Sequence, residues 1–135
     1  MSNNINPSLY SPLVLAYIGD AVYEVFTREK VLELHPDMPA HKLHKVNVHY
    51  VRAKSQSNAM SQIEPILSED ELAIYKRGRN AKAGTVPKNA DLVDYRRATG
   101  FEALVGYLHL KGRQDRLGEI MEMAFRCEED KNQEE

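Results

Sequence analysis

The chain has 135 residues, 42 % of them apolar, with 18 basic and 20 acidic side chains and a formal net charge of −2. That length suits one domain around one core, and the near-neutral balance gives no overall electrostatic signature of a nucleic-acid binder. A single cysteine, Cys127, excludes an internal disulfide, and no segment approaches the roughly 18 apolar residues of a membrane span, so a cytoplasmic protein is the default expectation.

Residues 1–10 are polar and read as a surface arm, with Leu9 and Tyr10 as its anchors. They lack the basic region and apolar core of a secretory signal. Ser11 followed by Pro12 predicts an N-cap and a first-turn proline. The helix they open, SPLVLAYIGDAVYEVFTR and onward to about Leu34, is so apolar that it is expected to be largely buried. His35–Pro39 holds two prolines and reads as a loop.

From Ala40 a helical period resumes on Leu43, Val46, Tyr50 and Ala53, with a break or kink expected between Ser55 and Asn58. Met60, Ile63 and Leu67 continue the stripe across Pro65. Ser68 and Glu71 form a capping-box pattern that opens the next helix. The glycine-rich run with Gly78, Gly84 and Pro87 predicts a loop, at least in its second half. Asn89 or Asp91 then caps a helix that Gly112 stops. A last helix carries Leu117, Ile120, Met121, Ala124 and Phe125, and residues 128–135 read as a frayed, solvated acidic tail. Cys127, beside two glutamates, reads as a small buried or half-buried residue. No sustained alternation predicts a strand. The expectation is an all-α chain with one helical domain over residues 1–135.

Two carboxylates are out of place in this pattern. Asp20 follows Gly19 in the middle of the first apolar helix, and Glu102 lies in ATGFEALVGYLHL, again near a glycine. Aspartate and glycine are both poor helix residues, and a carboxylate in an apolar face costs desolvation unless something pairs it. Gly19 is read as admitting a close backbone approach, and Asp20 as holding a cation or a proton. Buried acids most often pair with arginine or lysine, or share a metal. The five histidines show no zinc-protease spacing; His41, His44 and His49 read as a solvated helix face. Lys76 to Arg97 concentrates seven basic side chains against Asp91 and Asp94, which reads as a footprint for phosphates or as a solvated loop paired with the acidic tail. Carboxylates for a hard ion beside cations for a polyanion suggest phosphodiester chemistry.

The stretch LAYIGDAVYEVFTR resembles the signature helix of the ribonuclease III catalytic domain, and FEALVGYLHLKG resembles that family's second motif, in the right order and across nearly the whole chain. Two of the family's four acidic positions fall on Asp20 and Glu102; the other two fall on Ala16 and Thr99. These departures, with RGRNAKAG and the absence of a following double-stranded RNA-binding domain, resemble the short subfamily called Mini-ribonuclease III. The resemblance implies a Mg²⁺-dependent endonuclease that cuts double-stranded RNA to 5′-phosphate and 3′-hydroxyl ends, in the maturation of large-subunit (23S) ribosomal RNA. It implies Asp20 and Glu102 as catalytic metal ligands and a homodimer through the signature helix, around Tyr17, Ile18 and Val22.

On this reading Arg77, Arg79, Lys82, Lys88, Arg96 and Arg97 are the candidate RNA contacts; Arg96 or Arg97 could instead pair with a buried acid. Thr99 is a candidate for positioning water, or a helix residue bonding back to a carbonyl. Two alternatives remain: a degenerate, non-catalytic binder of double-stranded RNA with the same fold, and a helical interaction module whose acids sit in ion pairs.

Overall fold

Six α-helices follow one another with no strand among the described residues. The structure, a computed structural model, describes residues 5–82 and 86–134. Residues 1–4 of the expected arm, residues 83–85 with Gly84 of the expected loop, and Glu135 of the expected tail lie outside them.

A short 3-10 turn, Pro7–Leu9, leads into α1, Pro12–Leu34. Ser11 caps α1 through its hydroxyl on the Val14 amide, and Pro12 occupies the first turn where no amide is needed. After the Pro36–Pro39 loop come α2, Ala40–Val51, and α3, Ala53–Ile63. Pro65 then sits in a 3-10 turn, Glu64–Ile66, instead of inside a helix. The capping box on α4, Glu69–Asn80, closes in both directions between Ser68 and Glu71. Asp91 caps α5, Leu92–Leu110, and Gly112 reverses the chain at φ +76° before α6, Gln114–Glu134.

α5 is the hub. Helices α1, α3, α4 and α6 all pack on it, and Phe101, Ala103, Leu104, Val105 and Leu108 are fully buried. The ends are tied by charge. Arg116 of α6 makes a two-pronged bond to buried Glu71 and reaches the Ile66 carbonyl. Asp70 accepts from Tyr107 and Arg113. The hydroxyl of Ser68 and the Arg113 guanidinium hold the Asp70 carboxyl well below its usual range.

Three expectations are corrected. α1 is not largely buried: Leu15, Ala16, Gly19 and Tyr23 face inward, but Leu13, Val14, Tyr17 and Val25 are exposed, Tyr17 at 77 %. An apolar helix with inner and outer greasy sides looks the same in sequence whichever side the core takes. The break expected between Ser55 and Asn58 falls instead on Arg52, an extended residue (ψ 154°) that ends α2 and starts α3.

The acidic tail is helical as far as Glu134, and Glu128 is 4 % exposed. Glu128 is held 2.7 Å from the Ser55 hydroxyl, with Arg52 at 3.7 Å. A partner from the α2–α3 corner removes that carboxylate from solvent, which local composition does not reveal. Cys127 is buried as expected, and burial with its acidic neighbours pushes its thiol pKa up.

Candidate active site

The site begins with two glycines. A Cβ on Gly19 would lie 1.8 Å from the Glu102 carbonyl oxygen, and one on Gly106 would lie 2.0 Å from the Leu15 carbonyl oxygen. The backbones of α1 and α5 therefore cross in direct contact, as only glycine permits. The close approach inferred for Gly19 is real, and what approaches is the α5 backbone. Asp20 follows Gly19 on the solvent side of the crossing, and Glu102, half-buried, sits opposite. The two carboxyls are near enough for Asp20 to act on Glu102 both by its charge and through a shared proton.

No arginine or lysine intervenes: among the described residues neither acid belongs to an ion pair. Burial first, and then the charge of Asp20, push Glu102 up to about 8, while the amide of Gln56 pulls the other way. Gln56 Nε2 faces Glu102 Oε2 at 3.5 Å. Glu24, one turn beyond Asp20 on α1, adds to the negative field at Glu102; it accepts from Arg28 at 2.9 Å and from Asn47 at 3.1 Å. Gln56 and Asn47 escaped sequence reading, because nothing local marks an amide on a polar-looking helix as buried.

The pair fits a hard divalent ion. Its donors are oxygen only, two carboxylates with Asp20 exposed to solvent, which matches the one or two protein carboxylates Mg²⁺ takes beside waters and phosphates. Its one strained feature, a carboxyl protonated against its neighbour's charge, is the feature a cation relieves. Among the described residues no three His, Cys, Asp or Glu side chains gather as a fuller cage.

A pH dependence of stability follows. Between the ordinary value of 4.5 and about 8, folded Glu102 keeps a proton that the unfolded chain has released. Metal-free stability therefore falls as pH rises through that window. Thermal unfolding in EDTA is expected to show a Tm falling from about pH 5 to about pH 8, with Glu102→Gln flatter over the same range.

The basic residues gather on another side of α5. Gly78 of α4 packs on Gly100 and Ala103, away from the Gly19 crossing. A cavity of about 240 Å³ there is lined by Lys82, Val86, Leu92, Tyr95, Arg96 and Thr99, without Asp20 or Glu102. A second, of about 320 Å³, is lined by Arg79, Asn80, Arg96, Arg97 and Glu64 among others. Arg77 is already engaged, donating to the Ser8 and Tyr10 carbonyls and so pinning the N-terminal arm. Arg97 reaches the Ser61 hydroxyl and Arg79 lies over the Tyr75 ring. Lys82 and Lys88 are exposed. Thr99 donates its hydroxyl to the Tyr95 carbonyl at 2.9 Å, the back-bonded arrangement, and lines the basic cavity.

A sequence model of the ribonuclease III domain matches residues 13–113. The chain is 46 % identical over 125 residues to the Mini-ribonuclease 3 of Clostridium tetani, covering 93 % of this chain and 83 % of that one. It is 48 % identical over 120 residues to the Mini-ribonuclease 3 of Brevibacillus brevis, covering 89 % of each. The crystal structure of a Fusobacterium nucleatum protein superposes with a TM-score of 0.79 at 31 % identity, over 89 % of this chain and 95 % of that one.

Proposed function

The chain belongs to the ribonuclease III family, in its Mini-ribonuclease 3 branch, and is an endoribonuclease of double-stranded RNA; on that premise we propose that Asp20 and Glu102 form its Mg²⁺-dependent cleavage centre. The observation that carries this is the meeting of the two carboxyls at the Gly19–Gly106 crossing without a counter-cation. The proposed products carry 5′-phosphate and 3′-hydroxyl ends, and the proposed substrate is the large-subunit (23S) ribosomal RNA precursor in the cytoplasm.

When bound, the ion supplies a polarised phosphate, an activated water and charge neutralisation at the leaving oxygen. The protein supplies the rest. Glu102 must lose its proton as the cation enters, so its elevated value makes cation affinity rise with pH towards about 8. Asp20, on the solvent side, is the carboxylate nearer the approaching backbone. Arg79, Lys82, Lys88, Arg96 and Arg97 hold the duplex by its phosphates, since A-form grooves hide the base edges. Thr99 serves as a wall of the basic cavity.

Cutting both strands calls for two such centres about a two-fold axis. Val14, Tyr17, Ala21 and Val25 follow one another at helical spacing on the exposed side of α1, and that stripe supports a homodimer through this helix.

The test is incubation of a long perfect RNA duplex with the protein and Mg²⁺. Cutting that EDTA stops supports the reading; binding without cutting across several divalent ions overturns it and leaves a degenerate binder. A companion prediction concerns the cations. Arg96→Ala combined with Lys88→Ala is expected to raise KM for duplex RNA with kcat held. The pair should also lower the log–log salt slope of binding by about one for each phosphate no longer neutralised. Filter binding at stepped salt measures that slope.

A further inference from the structure

In an unbroken helix the Val51 carbonyl would accept the Ser55 amide. At the Arg52 break that amide bonds the Arg52 carbonyl at 3.1 Å instead, which strands Val51. Gln56 fills the gap with its side chain, Nε2 to Val51 O at 3.1 Å. The same amide nitrogen faces Glu102 Oε2 at 3.5 Å, so its two hydrogens serve a helix end and the carboxylate at once. Gln56 is 2 % exposed, and its Oε1 has no hydrogen-bond donor.

A buried acceptor without a donor is costly, and an apolar side chain would fill the space without that cost. Asn47 repeats the chemistry on Glu24, but Arg28 already satisfies that acid. Of these two buried amides, Gln56 is the one that touches an acid lacking a cation.

We propose that Gln56 is a positioning residue of the cleavage centre: anchored on Val51, it fixes the Glu102 carboxylate toward Asp20, and its unpaired oxygen accepts from water brought in with the cation. The inference rests on the reading of Asp20 and Glu102 as the cation-binding pair. Gln56 acts through Glu102, so its removal changes the competence of the centre and leaves the grip on RNA alone.

The experiment uses Gln56→Met, close in volume but unable to donate, and Gln56→Asn, which keeps the amide but draws it back from Glu102 by one carbon. Asp20→Asn is measured beside them. Three quantities are read: Mn²⁺ binding from the free-ion EPR signal, kcat and KM on an RNA duplex, and metal-free Tm. Gln56→Met is expected to lose about 10- to 100-fold in kcat and about tenfold in Mn²⁺ affinity, with KM and Tm held. Gln56→Asn is expected to show the same two losses, and it decides the matter if the methionine variant does not fold.

Wild-type kcat and Mn²⁺ affinity in a folded variant overturn the proposal, as does a loss that only tracks a fallen Tm. Failure of the parent reading looks different: Asp20→Asn then binds Mn²⁺ like the wild type, or neither binds it. Loss of Mn²⁺ in Asp20→Asn with wild-type binding in both Gln56 variants overturns the role of Gln56 alone.

Discussion

Asp20→Asn is expected to lower kcat/KM on duplex RNA by on the order of 10³-fold or more, while the metal-free protein stays folded and gains stability near pH 8. The rate loss amounts to about 4 kcal/mol of transition-state stabilisation. It is large because the centre has two acids and no reserve: no third acid completes the group among the described residues, so losing one charge removes half the protein's share of the cation's binding. The gain in stability has the opposite source. Asp20 raises the value of Glu102 by its charge and by the shared hydrogen bond, so an amide at position 20 relieves a repulsion. Cleavage kinetics with thermal melts at about pH 8 in EDTA measure both. A variant that cuts like the wild type removes Asp20 from the centre.

Gly19→Ala and Gly106→Ala are expected to be the most destabilising single-methyl additions in the chain, each costing at least about 3 kcal/mol. The added carbons would lie 1.8 and 2.0 Å from backbone carbonyl oxygens of the facing helix. No side chain can swing aside, so α1 and α5 must part by about 1.5 Å to reach van der Waals distance, against a close-packed core. Activity should fall with the fold, since the same separation pulls Asp20 from Glu102. Gly118→Ala is the control: nothing lies within 4 Å of its added carbon, and it should stabilise α6 by about 1 kcal/mol. Urea unfolding of the three variants ranks them; equal midpoints for Gly19→Ala and wild type would refute the crossing.

The sequence made local features legible because their causes are local. The Ser11 cap, the Ser68–Glu71 box, the Asp91 cap and the Gly112 stop each depend on residues within one turn of the helix end they make. Asp20 stood out because an aspartate beside a glycine in an apolar helix violates two propensities at once, and Glu102 because it is a carboxylate in an apolar helix face near a glycine. What escaped depends on distant partners. Nothing near Arg52 breaks a helix; the break is held by Ser55 bonding Glu128 from the far end of the chain. Gln56 reads as an ordinary polar helix residue until α3 is laid against α5. Gly106 carries no mark of its role until Leu15 is set opposite. The outer face of α1 could not be told from its inner face, since both are apolar.

The order in which the helices leave the ribosome gives the Gly19–Gly106 crossing a consequence in time. At roughly 5–20 residues per second, α1 emerges several seconds before the segment it must lie against. Through that interval it is a greasy helix with neither of its faces covered, the kind of surface that chaperones hold. Glu102 is not yet made, so on the proposed assignment an incomplete chain lacks one of the two acids that would hold the ion. On the same assignment, cleavage waits until α1 and α5 have both been made and have closed on each other.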